Sequence, residues 1–368
     1  MLLFALIAFS CAGCAPRGEP SIPRAESLQI AQGRFGSFVS LVIVGDRLCA
    51  VFSDLDTSSL AICELPLGPP LPTAAPRALL IDKIDATPPF ATDFGSHAIA
   101  ATGSTLHILY LDRESPEKRV LKLASRASGA DAWSLDIVEP AGSPVGLIPN
   151  SEGSLSLFWS TDALLMRSTS SSASPTVVRS DFSAGRPGVP FEGGSMRGLT
   201  VFDDTTGSLC AVFLRGAGAE MEVVQGIESA VSACVSSDGR LAVTGYDAKR
   251  RRILLLEGTA DQKSFSRSAV TLSERTTGTL IMPRGERYLF LYDEAERRGR
   301  DAFSYGVSVL APEGARYVKH VLSRGQKPVQ CFAAAIRGEI LYVLILQDAL
   351  DLFRVDLSRF SRASRLAS

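Results

Sequence analysis

The residues of this chain best suited to chemistry are two basic runs, three histidines and a scatter of cysteines. Lys249-Arg250-Arg251-Arg252 forms one run, and Arg297, Arg298 and Arg300 form the other. Guanidinium groups offer fixed, permanently charged donors that match carboxylates and phosphates two bonds at a time. With Lys118-Arg119, the runs predict a positive crescent for an anionic glycan, a lipid headgroup or an acidic protein partner. Asp247, Glu294, Glu296 and Asp301 stand among them and cancel part of that charge. The alternative reading is a charged rim that keeps the protein soluble.

The other reactive groups are less organised. His97, His107 and His320 have no mutual spacing that would set two imidazoles on one metal. Neither a zinc, calcium nor nucleophile motif is present, so the sequence assigns no catalytic residue, no metal ligand and no cofactor. Cys49 and Cys63 fall about the turn Asp54–Ser59 and form a candidate disulfide across one hairpin. Cys210 and Cys234 are candidates to meet across neighbouring strands, which leaves Cys331 as the odd thiol. Buried free cysteines acting as small apolar side chains are the alternative.

The first residues differ from the rest. Met1-Leu2-Leu3-Phe4-Ala5-Leu6-Ile7-Ala8-Phe9 is an apolar run too short to span a bilayer and suited to a signal peptide. It leads into Cys11-Ala12-Gly13-Cys14, which resembles the lipobox of bacterial lipoproteins, with Cys11 where that motif usually has Leu. The resemblance implies cleavage after residue 13, acylation of Cys14, export, and lipid anchoring to a membrane of the cell envelope. Export makes disulfides permissible.

Across 368 residues, 46% are hydrophobic and the net charge is −1, which supports a large core and gives no field to hold a polyanion. Nucleic acid is therefore excluded as an expected partner. Helical periodicity is hard to find, whereas short apolar runs bounded by Gly, Asp, Ser and Pro recur. One unit repeats: a turn with Gly or Asp, a strand running to an aromatic, then often Asp. Copies are Gly45–Asp54, Gly103–Asp112, Gly153–Trp159, Gly207–Phe213, Asp238–Asp247, Gly285–Asp293 and Gly338–Leu346.

A period of roughly fifty residues marks a β-propeller. Each copy has an apolar run upstream as innermost strand and, where clearest, Val120–Ala124 and Trp133–Val138 downstream as third and fourth strands. The fold class is thus all-β, a propeller of about seven blades of mostly four antiparallel strands. Six or eight blades are the alternatives, because the spacing between Phe213 and Leu241 is short and the fourth blade lacks a visible outer strand. The last blade offers three strands, and Ser27-Leu28-Gln29-Ile30-Ala31 alternates correctly to supply its fourth and close the ring. Pro66–Pro76, Ser168–Ser174 and Gly185–Gly194 read as surface loops. The expected organisation is a signal peptide at 1–13, a tether at 14–26, one propeller at 27–358 and a polar tail at 359–368.

The stretch Leu106–Trp133, with L-H-I-x-Y-x-D, then L-K-x-A, then W, resembles the repeat of bacterial propellers related to the sialidase superfamily. No S-x-D-x-G-x-x-W Asp-box accompanies it. Asp203-Asp204-Thr205-Thr206-Gly207-Ser208-Leu209 is similar to the D-x-x-T-G-x-L turn of quinoprotein-type propellers, a group that includes a lipoprotein subunit of outer-membrane assembly machinery. Three functions follow as expectations. The first is a non-enzymatic, lipid-anchored envelope protein whose loop face docks a protein or glycan. The second is a sialidase-like carbohydrate-active enzyme, and the third a scaffold subunit of an outer-membrane assembly complex. The inner strands are poor in charge, with His97 the one titratable candidate facing the axis, and this favours the first.

Overall fold

The computed structural model describes residues 25–359, except 75, 85–95, 116–117, 151–152, 162, 172, 185–186, 195, 216–217, 225–228, 260–264, 273–274, 298–302 and 314–315. The short apolar runs become seven four-stranded antiparallel sheets, each ordered from an innermost to an outermost strand. Blade 1 spans Phe35–Val44, Arg47–Asp54, Ser59–Pro66 and Leu79–Lys83, and the next five repeat the pattern. Blade 7 comprises Cys331–Arg337, Ile340–Leu346 and Leu350–Asp356, and takes its outermost strand from Glu26–Ala31. That strand runs antiparallel to Leu350–Asp356 with Leu28 opposite Leu352, the closure expected from the sequence.

The strands are continuous rather than alternating in hydrophobicity because a blade has a neighbour on each side. In blade 1, Leu48, Ala50 and Phe52 pack against Tyr342, Leu344 and Leu346 of blade 7. The intervening Cys49 and Val51 face the other way, onto Leu106, Ile108 and Tyr110 of blade 2. Seven such apolar clusters occur among the described residues, one at each interface between consecutive blades, so the ring closes. Burying a leucine at each position contributes about 2 kcal/mol, repeated at every interface.

Each hairpin joining an innermost to a second strand turns on a glycine at positive φ, from +55° at Gly194 to +79° at Gly239. A Cβ is strained there, so glycine marks the start of every second strand. Blade 4 corrects the sequence reading on this point. Gly207–Phe213 belongs to its third strand, Ser208–Arg215, and the second strand is Met196–Asp203, which follows Gly194. The expected loop Gly185–Gly194 contains the innermost strand Val189–Gly193, and the missing outer strand is Gly218–Val224. Gly207 misleads because it too has positive φ and lies in a tight turn, where Asp203 accepts from the Thr205 amide at 3.1 Å.

Candidate functional site

An innermost strand pairs on one edge only, and seven of them enclose a channel along the ring axis. Its volume is about 1020 Å³, and Val39, Leu41, Ile99, Leu280, Met282 and Phe332 dominate its wall. Ser37, Ser40, Ser232, Thr279 and Gln330 add hydroxyl and amide groups, and the titratable side chains along it are His97, Glu192, Asp293 and the thiols Cys234 and Cys331, which corrects the expectation that His97 stands alone there. The wall is not uniform. In blade 5, Ser232–Val235 is buried, whereas in blade 7 every residue from Cys331 to Ile336 is half-buried. Half-exposed Phe38, Val39, Leu280 and Met282 continue that accessible side through blades 1 and 6.

Asp293, at the end of the channel where the innermost strands begin, organises its surroundings. Its carboxylate accepts from the Thr277 amide and hydroxyl at 2.8 Å each and from the Gly278 amide at 2.6 Å. Burial raises its pKa, and these donors oppose the rise. The sequence suggests an aspartate that nucleates its own turn; Asp293 instead ties down the connection entering blade 6. Asp247, its counterpart in blade 5, does hold its own turn, accepting from the Arg250 amide at 3.1 Å.

The first basic run stands at the turn between the second and third strands of blade 5. Lys249–Arg251 and Arg252 fill the turn and strand start after Leu241–Asp247 in blade 5, and Arg297 ends Arg287–Arg297 in blade 6. Arg298 and Arg300 lie outside the described residues. Asp247 Oδ2 gathers Arg250 at 3.3 Å, Arg252 at 3.4 Å and Arg267 at 3.1 Å. Burial alone would raise the Asp247 carboxyl, but the Arg250 amide and guanidinium, with Arg252, hold it below the usual range. A single carboxylate thus offsets one unit of charge shared among three arginines, and Arg250 among them remains largely exposed. Arg251 is exposed at the turn's tip with φ +50°.

The three histidines stand apart in chemistry as well as position. His107 meets Thr102 Oγ1 at 2.7 Å and Ser125 Oγ at 2.8 Å, and burial lowers its pKa. His320 Nε2 lies 3.2 Å from Glu313, with burial lowering its pKa against that contact. No cluster of three His, Cys, Asp or Glu able to hold a metal occurs among the described residues.

The cysteine pairing expected for Cys49 and Cys63 is corrected: both are free thiols. Cys49 stands opposite Glu64 and Cys63 opposite Ala50, so the two point to opposite faces of the sheet. Burial pushes each up to about 11. Cys210 and Cys234 are also free and pack into different interfaces. Sequence reasoning misses the accessible side of the channel, because its residues are ordinary apolar strand formers that only the ring sets around one space.

No family model matches the chain, and no curated protein sequence matches it. Solved propellers resemble it in fold. YCF48 bound to D1 peptide is 12% identical with a TM-score of 0.55, the match covering 92% of this chain and 97% of that one. An endosialidase from phage phi92 is 10% identical with a TM-score of 0.54, covering 90% and 69% respectively. A Trypanosoma rangeli sialidase complexed with the inhibitor DANA is 12% identical with a TM-score of 0.50, covering 92% and 60%. The ring is therefore similar in architecture to sialidase-type and other propellers.

Proposed function

We propose that this propeller is a non-enzymatic binding module of the cell envelope, anchored through Cys14, that captures an extended segment of a partner protein in its axial channel. The observation that carries this reading is the accessible apolar side of the channel, from Phe38 through Leu280 to Phe332. An innermost strand has no strand partner on its axial edge beside those side chains, although in blade 6 the Ile281 amide donates to Ser232 Oγ at 3.2 Å. An extended peptide can add to such an edge and seat alternate side chains on the wall. Ala333, Ala334 and Ala335 keep that edge sterically open. YCF48, similar in fold, is known with a peptide bound; that likeness supports a peptide ligand, and the channel's own lining is the stronger support.

A photo-crosslinking residue at Phe332 in intact cells tests the reading. One stoichiometric adduct is expected, lost when Ala334→Arg fills the channel in a protein that still folds. An adduct indifferent to Ala334→Arg, or turnover of sialosides by the purified protein, overturns it. A second reading, an anionic glycan on the crescent, is favoured by the exposed Arg251 and Arg297.

A further inference from the structure

The outer edge of the ring is chemically divided. Outermost strands of blades 4, 5 and 7 present polar groups to solvent: Glu220 in blade 4, Ser266, Arg267 and Ser268 in blade 5, Ser27 and Gln29 in blade 7. Those of blades 1, 2 and 3 expose large apolar side chains as well, set among Lys83, Ser134, Asp136, Thr176 and Arg179. Leu80 is 53% exposed, Ile137 60% and Val177 56%, with Leu79 and Leu135 beside them. These residues belong to Leu79–Lys83, Ser134–Glu139 and Thr176–Ser180, three consecutive outermost strands. Leu135 and Ile137 share one face of their strand, since side chains alternate. Large apolar side chains grouped on one arc mark an interaction surface more than chance exposure does.

The chain itself indicates what covers this arc. The segment bearing Cys14 joins the ring at Ala25, just before the outermost strand of blade 7. There Glu26 accepts from the Leu71 amide of blade 1 at 3.0 Å, so the junction lies beside the first of the three apolar blades. From Cys14 to Ala25 the backbone reaches at most about 40 Å when extended. An acylated Cys14 would therefore keep the junction of blades 7 and 1 within about 40 Å of the bilayer.

We infer that the outer edge of blades 1–3 rests on a lipid surface, with Ile137 deepest and Leu80 and Val177 flanking it. The inference rests on the lipid-anchor reading of Cys14. Apolar side chains entering the headgroup boundary add to an acyl anchor and orient what the anchor alone leaves free to tumble. The disc then stands on its edge, with both ends of the channel open to solution.

The test uses the full chain, purified in detergent and reconstituted in vesicles whose lipids carry bromine on the acyl chain. Single tryptophans are added at exposed positions: Ile137→Trp, Leu80→Trp and, on the blade 5 edge, Ser268→Trp. Bromine is expected to quench more than half of the emission added at 137, less at 80, and none at 268. Equal quenching at 137 and 268, or none at 137, overturns the inference. A protein that sediments in detergent as a dimer, and as a monomer after Ile137→Asp, assigns the edge to a second copy and also overturns it. Flotation with the vesicles, lost in Cys14→Ser, reads the anchor separately. If the parent does not float, the anchor reading fails, and the same quenching is read on protein mixed with an excess of vesicles.

Discussion

Cys49 and Cys63 occupy adjoining strands of blade 1 yet point to opposite sides of the sheet, Cys49 toward blade 2 and Cys63 toward blade 7. Oxidation therefore finds no partner within the blade. Free-thiol titration of the unfolded protein, from residue 25 onward, is expected to count all of its cysteines without reductant. In the folded protein, alkylation should label half-buried Cys331 first, while burial protects Cys49, Cys63, Cys210 and Cys234. Mass mapping that finds a Cys49–Cys63 bridge would contradict the register described above.

Closure of the ring depends on Leu28 and Ile30, buried against Leu344, Leu350 and Leu352. Leu28→Ala is expected to cost about 3 kcal/mol, the sum of lost burial and a cavity at the seam. Glu26→Gln weakens a contact to Arg354 that is partly exposed, and should cost under about 1 kcal/mol. Urea unfolding of both variants measures the difference; equal costs would mean that the seam is not held by its apolar side chains.

Two glycines in blade 4 separate backbone conformation from space. Gly194 has φ +55° and open space where a side-chain methyl group would stand, so Gly194→Ala should cost about 1 kcal/mol from strain alone. At Gly198 a methyl group would collide with the Val212 carbonyl oxygen and the Phe191 ring. Gly198→Ala is expected to be much the more damaging in thermal unfolding, and the reverse order would refute the strand assignment in this blade.

Acid should loosen the protein as its buried histidines take up protons. His107 is held by burial below its ordinary value of 6.5, so the unfolded chain binds that proton more readily than the folded one. The resulting stability is complete above 6.5 and is lost as pH falls through the folded-state value. His320 shifts in the same direction, against the pull of Glu313. The urea midpoint should drop as pH falls below about 6.5, and drop less in His107→Gln. An unchanged pH profile in that variant would remove His107 from the account.

The crescent makes a prediction of its own. Arg251→Glu combined with Arg297→Glu should elute earlier in salt from immobilised dextran sulfate than the parent does. Asp247→Asn, which loosens three arginines, should elute later. Retention that ignores all three changes would leave these charges as solvation of the rim.

The ring is legible in the sequence because two constraints repeat there: a glycine where φ must be positive, and a second strand apolar on both faces. Leu241–Asp247, buried at every position, shows the second constraint in its strongest form. Blade 4 misleads because Gly207 meets the first constraint in a different turn, and because Val189-Pro190 sits in a stretch whose composition reads as loop. The thiols mislead by one residue. Symmetry about the turn that pairs Asp54 with Ser59 carries Cys49 to Glu64, and Cys63 falls one position short. The accessible wall around Phe332 has no signature in spacing, since it joins strands that only the closed ring brings together, whereas the grip of Asp293 on Thr277 lies within one hairpin and follows from its register, Thr279 opposite Tyr292.

The seam also orders events in time. A ribosome makes Glu26–Ala31 first and Leu350–Asp356 among the last of the ring, yet the two must pair side by side. Until that final stretch emerges, Leu28 and Ile30 have no mate, and the early strand must wait through the synthesis of six blades. A chain cut short before residue 350 leaves Leu28 and Ile30 without the partners they have in the ring.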